Sequence, residues 1–146
     1  MYVFDATSIE LMINLFPPRF KSLWQEIDGA IVEGKIVSVY EAFKALNSVA
    51  SIEWKTTHKR MFKKLTMRQA LLLKEMFTKN RGQFQNLISP AQLYKGLPTP
   101  IPFVLASAKI NDATVVSEEK IKSVCQHFAL PYTNFEGVMR KEGWEF

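Results

Sequence analysis

Three short apolar runs, YVF at 2–4, KIVSV at 35–39 and ATVVS at 113–117, each lead almost directly into an acidic residue and then into a helical pattern. Runs of this length, rich in β-branched and aromatic residues, suit short buried strands. A strand that hands over to a helix before the next strand needs a crossover, and crossovers join parallel strands. The order up to residue 49 reads β-α-α-β-α, and ALPYTN at 129–134 offers a last short strand. The expectation is an α/β chain in three layers: a central, mainly parallel sheet of about four or five short strands with helices on both faces.

The helical segments follow from spacing. Ser8 to Leu15 has helical periodicity and is ended by Pro17-Pro18. RFKSLWQEIDGAIVEG at 19–34 puts Phe20, Leu23, Trp24, Ile27, Ala30 and Ile31 on one face and stops at Gly34. SIEWKTTHKRMFKKL at 51–65 and TMRQALLLKEMFTKN at 66–80 are predicted as two helices, with Ser51 and Thr66 as caps and Arg81-Gly82 closing the second. NLISPAQLYKGLPTPIP at 86–102 reads as a connector holding four of the seven prolines. PFVLASAKIND is a small-residue helix suited to close packing, EEKIKSVCQHF a further helix, and FEGVMRKEGWEF a terminal helix and tail whose Trp144 and Phe146 either dock or join a subunit interface. With no internal repeat, low-complexity tract or linker, residues 1–146 are expected to form one domain.

Composition narrows the classes. A 47% hydrophobic chain of 146 residues can bury a sizeable core. No apolar run approaches the roughly 18 to 20 residues that span a bilayer, and residues 2–4 already read as structure rather than as a signal peptide. Cys125 is the one cysteine, which excludes an intramolecular disulfide and a cysteine zinc site; it reads as a small core residue. His58 and His127 read as incidental. These features point to a cytoplasmic protein with no membrane segment. The net charge of +5 suits a polyanion or an acidic protein. It is unevenly spread: nine Lys or Arg and the single acid Glu75 lie between Lys55 and Arg81. If KTTHKRMFKKL is helical, Lys59 and Lys63 stack on one face, with Arg60 and Lys64 one position round. That face is either simply solvated or a track for an RNA backbone, and the salt dependence of binding separates the two.

The acids carry the chemistry. Asp5 follows YVF, Glu41 follows KIVSVY, and Glu118 and Glu119 follow ATVVS. In a parallel sheet these positions meet at one edge. Gathered carboxylates repel and raise one another's pKa unless a cation offsets them. Mg²⁺ or Mn²⁺ suits such oxygen ligands, and can activate water and stabilise a phosphoryl transition state. Each acid also has a plain explanation. Asp5 is a good N-cap, Glu41 a first-turn glutamate favoured by the helix dipole, and Glu118 and Glu119 stand at a helix start.

The order and spacing of these segments resemble the PIN-domain family, metal-dependent nucleases that include the VapC-like toxins of toxin–antitoxin pairs. VFDATS is similar to the opening motif and maps the family's first metal-site acid to Asp5 and a supporting hydroxyl to Thr7. IVSVYEAFKAL maps the second acid to Glu41. IPFVLASAKINDATVVSEE resembles the third and fourth motifs, and maps the fourth acidic position to Glu119 with Glu118 as its neighbour or substitute. The end, NFEGVMRKEGWEF, resembles that of an uncharacterised PIN-like subgroup. The resemblance implies a Mg²⁺- or Mn²⁺-dependent endoribonuclease, catalytic Asp5, Glu41, Glu119 and Thr7, an RNA substrate, an antitoxin partner and a homodimer. The third acid departs from the pattern, because Ile101 stands in its place. Isoleucine is among the poorest N-caps and aspartate among the best. Either residue 101 caps a helix starting at Pro102, or Thr99 caps one starting at Pro100. Loss of this carboxylate implies weakened or abolished cleavage, with Glu118 as the group that can swing into the gap. The alternative function is a catalytically inactive PIN-like module that binds RNA or protein.

Overall fold

The computed structural model describes residues 1–15, 21–79 and 100–144. β1 (Tyr2–Phe4) is the middle strand of a five-stranded sheet with β2 (Ile36–Val39), β3 (Phe62–Lys63), β4 (Thr114–Val116) and β5 (Tyr132–Thr133). The order is β3-β2-β1-β4-β5, and every pairing is parallel. Phe4 stands opposite Ser38 on one side and Val116 on the other. All residues of β1 and β2 are buried, so both sheet faces are covered, as a parallel sheet requires.

The covering helices are α1 (Ala6–Leu15), α2 (Lys21–Val32), α3 (Tyr40–Ala45), α4 (Val49–Thr57), α5 (Met67–Lys79), α6 (Pro100–Asn111), α7 (Lys122–His127) and α8 (Phe135–Glu142). α6 packs across β1, β2 and β4, and its small Ala106, Ser107 and Ala108 are buried. Phe4 meets the ring of Phe135 edge-on, 6.1 Å between centroids, tying α8 to the sheet. α2 ends as expected: Gly34 takes φ +75 and its N–H reaches the Ile31 carbonyl, a turn that needs glycine's left-handed freedom. Thr66 caps α5 in a capping box, accepting from the Gln69 N–H while Gln69 accepts from the Thr66 N–H.

One predicted helix is wrong. Residues 51–65 do not run as a single helix. α4 ends at Thr57, a 3₁₀ turn spans Lys59–Met61, and Phe62–Lys63 form the edge strand β3. The Thr56 and Thr57 hydroxyls bond back to the Ile52 and Trp54 carbonyls, and His58 stacks on Trp54 at 4.1 Å between ring centroids. Consecutive burial of Met61 and Phe62 suits an extended edge and breaks helical periodicity. Ser48, not Ser51, caps α4. α7 starts only at Lys122, so Glu118 and Glu119 are not in its first turn. The expected stops at Pro17-Pro18 and Arg81-Gly82, most of the connector, and Phe146 lie outside the described residues. Cys125 is buried and its thiol pushed up to about 12 by desolvation, which leaves it inert.

Candidate functional site

From β1 the chain reaches β2 and β3 on one side and β4 and β5 on the other. The gap between β1 and β4 is therefore the switch point of the sheet, and the crevice beyond the carboxyl ends of such strands is where open α/β folds take ligands. Asp5 leaves β1 at that point, its N–H bonded to the Val116 carbonyl at 3.0 Å. Its side chain is 1% exposed. Oδ1 accepts from the Thr7 hydroxyl at 2.7 Å and from the Ser8 N–H at 2.9 Å, while Oδ2 accepts from the Ser117 hydroxyl at 2.5 Å. The two sequence readings of Asp5 are thus compatible: it caps α1 and it occupies the switch point.

Burial holds the Asp5 carboxyl above its ordinary range. The bonds from Ser117, Ser8 and Thr7 oppose that rise, and the charge of Glu118 adds to it. Glu119 is raised too, first by partial burial and then by the charge of Asp5. No ion pair among the described residues reaches Asp5, Glu41, Glu118 or Glu119. A cleft of about 550 Å³ opens beyond β4 and β5, with Ser117, Glu118, Glu119, Lys120, Lys122 and Thr133 in its walls; Asp5 and Glu41 do not line it.

The expected acids play unequal parts. Asp5 and Glu119 share one electrostatic neighbourhood. The Glu118 side chain is taken up elsewhere: Oε1 accepts from the Phe135 N–H at 2.9 Å and the Ser8 hydroxyl at 3.3 Å, joining the starts of α8 and α1. Glu41 stands in the first turn of α3, just past β2 and so at the same sheet edge, across β1 from Glu119. Its Oε2 is buried with no hydrogen-bond partner among the described residues, a state that an approaching cation would relieve. Among the described residues no three His, Cys, Asp or Glu side chains are placed to hold one metal ion. The donors at the edge are all oxygen, and Mg²⁺ or Mn²⁺ commonly takes one or two carboxylates and keeps several waters; the residues fit an ion of that kind.

Ile101 is the second residue of α6, 3% exposed and part of the hydrophobic core. It is inside the helix rather than capping it, in line with a start at Pro100; Thr99 lies outside the described residues. The basic quartet does not form one helical track. Lys59 and Arg60 belong to the 3₁₀ turn, where both line a hollow with Asp28 and His58; Arg60 and Lys63 line a second hollow with Gly34 and Ile36; and Lys64 lies over the Tyr40 ring. The edge strand separates side chains that a helix would have stacked.

Sequence reasoning missed Ser117 and Ser8. Ser117 is the hub of the cluster, donating to Asp5 and accepting from the Glu119 N–H at 3.1 Å. Its signal was a hydroxyl ending an apolar strand; that of Ser8 was its place three residues after a capping aspartate.

Among curated proteins none matches this chain. A chain in the solved structure of VapBC-1 from nontypeable Haemophilus influenzae is similar in structure. The identity is 13%, the TM-score 0.51, and the alignment covers 92% of this chain and 98% of that one. At this identity the likeness shows a shared fold, the PIN-like α/β fold implied by the motifs. The model of the family described as "Domain of unknown function (DUF4411)" matches residues 2–146, and the chain belongs to that family.

Proposed function

We propose that residues 1–146 act as one PIN-like, Mg²⁺- or Mn²⁺-dependent ribonuclease domain, the toxin of a toxin–antitoxin pair, with cleavage weakened by Ile101. The observation that carries this reading is the carboxyl edge at the switch point, where the buried Asp5 and the raised Glu119 share one electrostatic neighbourhood and neither is in an ion pair among the described residues. Asp5 and Glu119 would hold the ion as a two-carboxylate site that keeps several waters; Glu41, at the same sheet edge with an unpartnered Oε2, is not placed to complete a three-carboxylate set among the described residues and would act on the ion's outer waters. When bound, the ion supplies an activated water and neutralises charge at phosphorus. Thr7 and Ser117 each clamp one Asp5 oxygen and so fix its rotamer. Lys64 on one side and Lys120 and Lys122 on the other give the RNA backbone two basic banks. The likeness to VapBC-1 supports the toxin reading and an antitoxin partner; a homodimer and a cytoplasmic setting belong to the same proposal. Among the described residues no helix is long and apolar enough to cross a membrane.

A second reading keeps the fold and drops the chemistry: an inactive module that binds RNA or protein. It is favoured by Ile101, which puts an apolar core residue where the third acid is expected. Single-stranded RNA incubated with Mn²⁺ and the wild-type chain, against Asp5→Ala, separates the two. Cleavage by the wild type alone supports the nuclease; no cleavage, or equal cleavage by both, rejects it. Ile101→Asp sharpens the test. At a metal pocket the new carboxylate raises cleavage and makes thermal stability respond more strongly to Mn²⁺. In an ordinary core it only destabilises, as an unpaired buried charge does.

A further inference from the structure

Tyr40 is the first residue beyond β2 and the immediate neighbour of Glu41. Val39 pairs with Lys63 in the sheet register, so Tyr40 and Lys64 leave the sheet side by side at its carboxyl edge. The Tyr40 side chain is 37% exposed, unusual for an aromatic residue so close to a buried strand. Phe43 stacks against it, with rings 5.8 Å apart at 12°. Phe43 is itself pinned: Phe62 meets it edge-on at 5.2 Å, and the Lys55 ammonium sits 4.4 Å from its centroid while donating to its carbonyl. The aromatic pair is thus held from behind, while Tyr40 stays partly exposed. Two more ammonium groups, Lys44 and Lys64, lie 5.0 and 5.7 Å from the Tyr40 centroid, and neither is in an ion pair among the described residues.

A fixed, partly exposed aromatic ring with two ammonium groups over it, neither in an ion pair among the described residues, and with Glu41 as its chain neighbour matches the chemistry of an unpaired nucleotide: the ammonium groups move to the phosphates and the base takes their place on the ring. We propose that Tyr40, backed by Phe43 and flanked by Lys44 and Lys64, is a stacking subsite for one unpaired base of a single-stranded RNA lying beside Glu41. This rests on the RNA-directed reading above and adds to it how the strand is held. It favours single strands over duplexes, because a paired base has no free face to offer. Stacking tolerates any base, so this subsite contributes affinity and placement rather than sequence choice.

The test is equilibrium binding of a short fluorescent uridine-rich single-stranded RNA to the full chain with EDTA present, so that cleavage cannot contribute, across a series of salt concentrations. Tyr40→Leu keeps an apolar contact for Phe43 and removes the aromatic face; it weakens binding about tenfold at every salt concentration and leaves the salt slope unchanged. Tyr40→Trp retains wild-type affinity. Lys64→Gln weakens binding and lowers the salt slope by about 0.7. An abasic version of the RNA binds wild type and Tyr40→Leu alike. Equal affinity of wild type and Tyr40→Leu for the intact RNA overturns the proposal, as does absence of wild-type binding, which leaves the face to a protein partner. A parallel cleavage assay with Mn²⁺ keeps the two readings apart. Tyr40-dependent binding without cleavage removes the nuclease and leaves the subsite; cleavage with Tyr40-independent binding does the reverse.

Discussion

The two ends of β1 each carry a side chain joined to a carboxylate network, and the networks differ in one respect. At the amino end, the Tyr2 hydroxyl donates to Glu142 Oε1 at 2.7 Å and Lys35 donates to Oε2. Glu142 is held below its ordinary range, chiefly by the bonds from Lys35 and Tyr2, and Tyr2 is pushed up to about 12 by burial and by Glu142. At the carboxyl end, Asp5 receives three protein donors and still sits above its ordinary range. A lysine forms an ion pair with the carboxylate at one end; among the described residues none does so with Asp5 at the other. Neutral donors orient a buried carboxylate but offset its desolvation only in part. The first network is a finished structural clasp joining β1, the loop before β2 and the end of α8. The second is complete in geometry and incomplete in charge, the pattern expected where a site serves a ligand at the expense of its own stability.

Asp5→Asn is the strongest way to break this comparison. It removes Mn²⁺-dependent RNA cleavage to background and abolishes the rise in melting temperature that Mn²⁺ gives the wild type. The same substitution raises the metal-free melting temperature at pH 7, because the desolvated charge is gone. A fall in that temperature, measured by calorimetry, would place Asp5 with Glu142 as a structural acid. The pH dependence carries the same contrast. The fold holds the Asp5 proton more tightly than the unfolded chain does, so this group's contribution is greatest below its ordinary pKa of 3.8 and falls as pH rises through the elevated value. Glu142 runs the other way: its contribution is present above its ordinary 4.5 and is lost as pH falls through the depressed value. Wild-type stabilisation by Mn²⁺ therefore grows as pH rises through the Asp5 titration; a shift that does not change with pH across that range means the ion binds elsewhere.

Ser117→Ala tests how much of the site lies in its supports. Ser117 donates to Asp5 and accepts from Glu119, so the change loosens both. Supporting hydrogen bonds of this kind are worth about 10- to 100-fold in metal affinity, and the variant should lose that much in Mn²⁺ binding measured by titration calorimetry. The bond also lowers the Asp5 pKa, so the pH midpoint of metal-dependent stabilisation moves up. Binding and midpoint both unchanged would make Ser117 a bystander.

What the sequence revealed and what it hid divide along physical lines. β1, β2 and β4 were legible because each buries a contiguous apolar run, and Asp5 was legible because it ends one of them. β3 was not: two residues carry no periodicity, and Phe62 extends because β2 offers an open edge, a tertiary cause invisible in a basic segment that also satisfies helical spacing. The same error placed Lys59, Arg60, Lys63 and Lys64 on a single face. Glu118 and Glu119 are adjacent and alike in type, yet the Glu118 side chain serves the α1 and α8 starts while Glu119 keeps to the crevice; only the fold distinguishes them. Ser117 had no local reason to stand out, since its partners are a residue more than a hundred positions earlier and a backbone N–H. Tyr40 drew no notice at the start of its helix, because Lys64 comes over its ring only once β3 pairs with β2.

Glu142→Gln has the smallest expected effect and isolates the amino-end clasp. The amide keeps a hydrogen bond to Tyr2 but loses the charge that Lys35 neutralises. The Lys35 side chain is 41% exposed and that of Glu142 16%, so solvent screens part of the pair. A loss of about 1 kcal/mol at pH 7 is expected, read by urea unfolding. That loss shrinks as pH falls below the Glu142 titration, where the wild type no longer carries the charge either. Nothing in the clasp reaches the crevice at the other end of β1, so Mn²⁺ stabilisation and RNA cleavage should match the wild type. If Glu142→Gln instead weakened the Mn²⁺ response, the two ends of β1 would be coupled through the strand. The division between a closed structural network and an open site would then have to be replaced by a single charge network spanning the sheet.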